Sequence, residues 1–129
     1  AAHYAKAIAA RPSSPYAWAG LAEAKYRAGD TGATFETALV RALELGPGEP
    51  EVQRTVEDLG LATWDEIAPE TRRAVELAIA NGLRRDPAET LQIAGRRGRL
   101  AVACAQRDAV PQRSGETWVR LCKAREART

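Results

Sequence analysis

Residues 4–30 read YAKAIAARPSSPYAWAGLAEAKYRAGD and contain the signals that decide the fold. An Ala-rich helical segment stops at Pro12, and a second helix opens near Pro15 and ends at Gly29-Asp30. Proline cannot continue a helix, and glycine readily adopts the turn conformation that follows one. The second helix carries apolar or aromatic residues at helical spacing, namely Trp18, Leu21, Ala22 and Tyr26. The stretch therefore predicts the end of one helical unit and the start of the next.

The composition of the 129-residue chain favours the all-α class. Hydrophobic residues make up 45% and aromatic residues only 5%, and alanine, the strongest helix former, is heavily represented. A membrane helix needs about 18 consecutive apolar residues, and no apolar run in the sequence approaches that length. The chain has no Met and begins inside a helical pattern. We therefore expect a fragment or processed product, with any signal peptide or membrane anchor upstream.

A helix end followed by proline recurs along the chain. Pro12 and Pro47 lie 35 positions apart, and Pro87 follows 40 positions later. The third copy is weaker than the first two, but recurrence at about this spacing is typical of helical repeat proteins.

The pattern resembles the tetratricopeptide repeat, a helix–turn–helix unit of about 34 residues. The first helix of the family is matched by Trp18, Leu21, Ala22 and Tyr26, and its turn by Gly29-Asp30. The second helix is matched by Ala42-Leu43, and the closing proline by Pro47. The unit is one residue too long, and Lys25 stands where the family commonly has an aromatic residue. The resemblance implies a right-handed superhelix of antiparallel helix hairpins with about two and a half repeats.

We predict a single domain over residues 1–129. Its parts are a half repeat (1–12), a full repeat (15–47), a degenerate repeat (50–87) and a helical C-terminal cap (88–129). In the degenerate repeat, Val52, Val56 and Leu59 should face inward, as should Val75, Ile79 and Leu83. Gly95 and Gly98 predict a kink or break inside the cap. Thr63 is a candidate N-cap for a short turn.

The resemblance implies a concave face formed by the first helices of the repeats. The outward positions there are Tyr16, Glu23, Tyr26, Arg27, Glu51, Arg54 and Asp58. Aromatic residues with mixed charges suit a short peptide or a partner helix, and packing against neighbouring helices is the alternative for the two tyrosines. The expected function is a non-catalytic protein–protein interaction scaffold. The half repeat at residues 1–12 could also mediate self-association.

Residue types that carry catalysis are sparse. The only histidine is His3, at the N-terminus of the sequence, and the two cysteines are far from it and from each other. This disfavours hydrolytic triads and zinc sites, and no Gly-rich phosphate loop occurs. Adjacent acids such as Glu57-Asp58 point apart on a helix, which is poor geometry for shared acid–base work. We predict no enzyme activity, no cofactor and no metal.

Charge is distributed unevenly along the chain. Residues 1–68 have 6 Lys/Arg against 10 Asp/Glu (−4), and residues 69–129 have 13 against 7 (+6). A basic patch of Arg84, Arg85, Arg96, Arg97 and Arg99 suggests nucleic-acid or anionic-polymer binding as the alternative function. No aromatic residues interleave with these arginines, so we favour a solvated helix face.

Cys104 and Cys122 leave two alternatives open. A disulfide would pin the terminal helix to the body and imply an oxidising compartment, whereas buried free thiols would act as small hydrophobes. The sequence is similar at two places to small bacterial proteins of extracellular-polysaccharide gene clusters. Their LxVxC segment is matched by Leu100, Val102 and Cys104, and their Cys-containing tail by Cys122. That resemblance implies an upstream membrane anchor and a periplasmic location, with the cytoplasm as the alternative.

Overall fold

The computed structural model describes residues 13–106 together with Arg120, Cys122 and Lys123. The structure of these residues is helical and contains no strand, which confirms the all-α prediction. Within residues 13–106 six helices follow one another: α1 (Pro15–Arg27), α2 (Ala33–Leu45), α3 (Pro50–Ala62), α4 (Pro69–Arg85), α5 (Pro87–Arg96) and α6 (Leu100–Cys104). The predicted half repeat at 1–12 and most of the segment after residue 106 lie outside the described residues.

Proline and glycine set the helix boundaries as expected from the sequence. Four helices begin at a proline, where the missing N–H costs no helical hydrogen bond. Ser14 caps α1, because its hydroxyl accepts a hydrogen bond from the backbone N–H of Ala17 at 3.2 Å. After α1, Gly29 adopts a φ of 74°, and Gly98 adopts 68° between α5 and α6. The predicted break near Gly98 is therefore confirmed.

A short turn does open at Thr63, whose carbonyl accepts from the N–H groups of Glu66 and Ile67 at 2.8 and 3.2 Å, but its side chain does not cap that turn. Thr63 is the C-cap of α3, and its hydroxyl donates to the carbonyl of Leu59 at 2.9 Å instead of accepting from a following N–H. The last carbonyls of a helix lack intrahelical donors, and this side chain satisfies one of them.

The helices pack in two rows. Each helix contacts the next one along the chain, α1 and α5 both contact α3, and α2 and α6 both contact α4. We call α1, α3 and α5 the odd row and α2, α4 and α6 the even row. This arrangement is compatible with the expected hairpin array.

One continuous core lies between the rows. It contains the inward-facing residues predicted for the repeats: Leu21, Ala22, Ala42, Leu43, Val52, Val56, Leu59, Val75, Ile79 and Leu83. Trp18 and Tyr26 are partly buried and pack against this core. Phe35, which is fully buried on α2, lies with its ring centroid 6.3 Å from that of Tyr26. No helix among the described residues is both long and apolar enough to cross a bilayer.

A single residue joins α4 to α5. Asp86 is the C-cap of α4, where its N–H donates to the carbonyl of Gly82 at 2.7 Å. It is also the N-cap of α5, where its carboxylate accepts from the N–H of Glu89 at 3.2 Å. The connection between α3 and α4, residues 63–68, is longer and consists mainly of turns.

Candidate partner-binding groove

A groove of about 370 Å³ opens along the odd row. Its walls come from the C-terminal half of α1, the middle of α3 and the C-terminal end of α5. The lining residues are Glu23, Tyr26, Arg27, Arg54, Thr55, Asp58, Leu59, Ile93, Arg96 and Arg97. Five of the seven residues predicted for the binding face are therefore brought together here, and we call this site the odd-row groove.

An ion pair crosses the groove between α3 and the end of α5. The guanidinium of Arg97 donates to both carboxylate oxygens of Asp58, at 2.7 and 3.1 Å. This hydrogen bonding raises the pKa of Arg97 above its usual value. The same guanidinium lies 5.8 Å from the ring centroid of Tyr26, within the range of a cation–π contact. Tyr26 is thereby held against the groove wall.

Other charges of the groove also have partners within the chain. Arg27 pairs with Glu23 one turn earlier on α1. Arg54 donates to Glu89 at 3.0 Å, and Arg85 donates to the same carboxylate at 2.7 Å. The bond from Arg85, together with that from Arg54, lowers the pKa of Glu89.

Arg96 is different. It is exposed, it lines the groove, and it has no ion-pair partner among the described residues. Beneath the charged rim, Leu59 and Ile93 are each only 5% exposed and form an apolar floor. The groove therefore offers an apolar floor, one aromatic ring and one guanidinium without an ion pair.

Tyr16 and Glu51, the other two residues predicted for the binding face, lie outside the groove lining. Tyr16 is in the first turn of α1, ten residues before Tyr26, which corresponds to about 15 Å along a helix. Its hydroxyl donates to Glu49, and this hydrogen bond raises the pKa of Tyr16. Tyr16 is 48% exposed, so it is not part of the core.

The five arginines of the predicted basic patch are distributed over separate contacts. Arg85 bonds to Gln53 and Glu89, Arg97 to Asp58, and Arg99 to Asp65. Arg84 donates to the amide oxygen of Asn81, and Arg96 lines the groove. Asp58 and Asp65 belong to the acidic half of the sequence, so part of the charge difference between the halves is neutralised within the fold.

The burial of Glu57 was not predicted from the sequence. The Glu57 side chain on α3 is fully buried, and its Oε1 accepts a hydrogen bond from the Thr90 hydroxyl on α5 at 2.6 Å. Oε2 has no partner among the described residues. Burial raises the pKa of Glu57 to about 7, although the Thr90 bond opposes this. Its neighbour Asp58 faces the groove, so the two carboxylates do point apart.

A glycine makes room for this carboxyl group. A Cβ at Gly82 on α4 would overlap with both Glu57 Oε1 and Thr90 Oγ1. The only sequence signal was a stripe of Gln53, Glu57 and Gly60 beside the predicted apolar face, because these positions lie three or four residues apart. That signal alone does not distinguish a buried carboxyl from a solvated one.

The structure joins Cys104 and Cys122 by a disulfide, the first of the two alternatives left open above. Their Cα atoms are 5.7 Å apart, and Cys122 is 1% exposed. The bond ties Cys122 to the end of α6, where both cysteines belong to the core.

Metal ligands do not cluster in the described part of the chain: no group of three or more His, Cys, Asp or Glu side chains there could hold an ion. His3 lies outside that part. Comparison of the chain with family models, with curated proteins and with solved structures finds no match.

Proposed function

We propose that this chain is a non-catalytic protein-interaction module that binds a short peptide or a partner helix in the odd-row groove. The observation that carries the proposal is the convergence of five predicted binding residues, on two different helices, around one groove. Its apolar floor can bury side chains of a ligand, and Tyr26 and Arg96 are of the residue types that often dominate binding energy at interfaces.

Most charges of the groove are already paired within the chain, so we propose that a ligand is recognised mainly by how well its shape fits the groove. Asp58 and Arg97 hold α3 and the end of α5 together, and Tyr26 is packed beneath Arg97. A groove whose walls are already connected needs little rearrangement to accept a ligand, which reduces the entropic cost of association.

Selection of peptides from a displayed random library tests the proposal. We expect enriched peptides to bind the native protein, and Arg96→Glu to weaken their binding at least about 10-fold. Arg73→Glu is the matched control, because Arg73 is also an exposed arginine without an ion pair among the described residues, but it lies on the even row. Absence of enriched peptides, or equal losses for both variants, would contradict the proposal.

The tetratricopeptide-like architecture and a bacterial envelope or exopolysaccharide assembly setting are further parts of the proposal. The disulfide supports an oxidising compartment. Thiol alkylation followed by mass spectrometry of protein from its native source tests the compartment. Two freely alkylated cysteines would argue for a reducing one.

Nucleic-acid binding remains the alternative. Three of the five arginines considered for it form ion pairs with carboxylates, which leaves fewer cations for phosphates. We expect no electrophoretic shift of DNA or RNA at low or moderate salt. A shift at low salt that weakens as salt is added would favour the alternative.

A further inference from the structure

The outer face of α4 carries the most exposed large hydrophobic side chain among the described residues. Leu77 lies at the centre of α4 (Pro69–Arg85) and is 50% exposed. Beside it, a cavity of about 470 Å³ opens between α2 and α4, on the even row. Val40, Leu43 and Ala74 contribute to its largely apolar lining. Leu77 itself lines this cavity, so the leucine and the cavity form one exposed apolar patch, and contiguous patches mark contact surfaces where single exposed side chains do not.

Charges flank Leu77 symmetrically along the helix. Glu70 lies seven residues before it and Arg84 seven residues after it. Seven residues correspond to about two helical turns, so all three side chains share one stripe. Glu70 and Arg84 are exposed, and neither forms an ion pair with another described residue. Arg73, three residues after Glu70 and four before Leu77, also lies on this stripe, and it is exposed and lines the same cavity. The stripe therefore begins with an acid, continues with a base and with Leu77 in the middle, and ends with a second base, Arg84.

From this arrangement we infer that the outer face of α4 binds a second copy of the chain. The two α4 helices run antiparallel around a two-fold axis near Leu77. Glu70 of each copy then lies opposite Arg84 of the other, and the two Leu77 side chains meet near the axis, next to the apolar cavity of each copy.

A second copy fits this stripe because the stripe is complementary to itself. In a two-fold contact, if residue i meets residue j, then j also meets i. Reversing the direction of a helix with an acid at one end and a base at the other places opposite charges together at both ends. The odd-row groove lacks this property, since most of its charges are paired within the chain. The inferred contact thus uses the row opposite the proposed peptide site.

Sedimentation velocity over a range of protein concentrations tests the inference. We expect a monomer–dimer equilibrium, and Leu77→Ser should raise the dissociation constant at least about 10-fold. Tyr16→Ser is the matched control, since Tyr16 is similarly exposed but lies on the odd row. A strict monomer at every concentration would overturn the inference, as would a dimer that Leu77→Ser leaves intact.

Charge reversal tests the antiparallel orientation. Glu70→Arg and Arg84→Glu should each weaken the dimer, because each places like charges opposite one another. The double variant E70R/R84E should restore dimerisation toward the native value, with circular dichroism as the check that every variant is folded. Failure of the double variant to recover while it remains folded would overturn the two-fold arrangement.

Discussion

The helix pair α1–α2 and the group α3–α5 share one packing plan but differ in what they bury. Every buried residue of α1 and α2 is apolar. From α3 to α5 the buried set also includes Gln53, Glu57, Thr71 and Thr90. Two glycines, Gly60 and Gly82, lie buried among them where a Cβ would overlap with a neighbouring side chain.

This difference shows that two regions of one core can depend on different physical terms. Stability in the α1–α2 pair depends on volume and apolar area, which change little with pH. In the α3–α5 group, stability also depends on whether polar groups are partnered and on the protonation of one carboxyl. Besides the apolar packing, a polar contact links the two regions: the carboxylate of Glu36 on α2 accepts from the N–H of Ala68 at 2.9 Å and from the Thr71 hydroxyl at 2.7 Å.

The largest expected effect belongs to the apolar region. Phe35→Ala removes a fully buried ring from α2 and should lower the free energy of unfolding by about 3–5 kcal/mol, because the surrounding side chains refill such a cavity only in part. Urea denaturation at several pH values measures it, with the exposed Thr37→Ala on the same helix as control. If the loss of unfolding free energy in Phe35→Ala varied strongly with pH, the α1–α2 pair would not differ from the α3–α5 group in the way described.

The second largest expected effect is a dependence of stability on pH that is caused by Glu57. An unfolded carboxyl titrates near 4.5, and the buried one near 7. Between these values the folded protein holds the proton more tightly, so the contribution of Glu57 to the free energy of unfolding should fall as pH rises from 4.5 to 7 and stay constant outside that window. At about 1.4 kcal/mol per pKa unit, the contribution amounts to about 3 kcal/mol. Glu57→Gln should abolish this slope and stabilise the protein at pH 8.

The control for this pH dependence is Glu51→Gln, which changes an exposed carboxylate on the same helix. We expect the slope of the free energy of unfolding against pH to persist in that variant. Equal slopes in the native protein and in Glu57→Gln would show that the buried carboxyl does not govern the pH response of the α3–α5 group.

The smallest expected effects are those of substituting two glycines, one of which should lower the free energy of unfolding and the other raise it. Gly82→Ala should cost about 1–3 kcal/mol, because the added methyl group displaces Glu57 or Thr90. Gly95→Ala on α5 should stabilise by about 0.5–1 kcal/mol, since nothing lies within 4 Å of its added Cβ and alanine favours the helix. Thermal unfolding of both variants gives the comparison. Stabilisation by Gly82→Ala would indicate that the Glu57–Thr90 contact does not require the close approach of α4.

Local signals in the sequence were sufficient to predict the helices and much of the core. Proline positions mark where α3 and α4 begin, and the spacing of Val52, Val56 and Leu59 identifies the buried face of α3. The groove was predicted in part, because the resemblance assigns a face to each helix but not the position of the opening along it. Tyr16 has an outward position on α1, yet it lies too near the start of the helix to reach the groove lining.

The polar contacts could not be predicted in the same way. Glu57–Thr90, Glu36–Thr71 and Asp58–Arg97 join residues 33, 35 and 39 positions apart. Periodicity describes which side of a helix is apolar, whereas these contacts depend on how distant helices align. A buried glutamate and a solvated one have the same local sequence signature, and only the packing of α4 and α5 against α3 distinguishes them.

The sharing of Asp86 by two helices determines where the chain can be engineered. An insertion before Asp86 would take the C-cap away from α4, and an insertion after it would take the N-cap away from α5. The connection at residues 28–32, between α1 and α2, is exposed at Ala28, Gly29, Asp30 and Gly32, which makes it the better place for a reporter domain or new chain ends. The two connections therefore differ: a change at residue 86 affects the end of one helix or the start of the next, whereas residues 28–32 offer exposed turn positions.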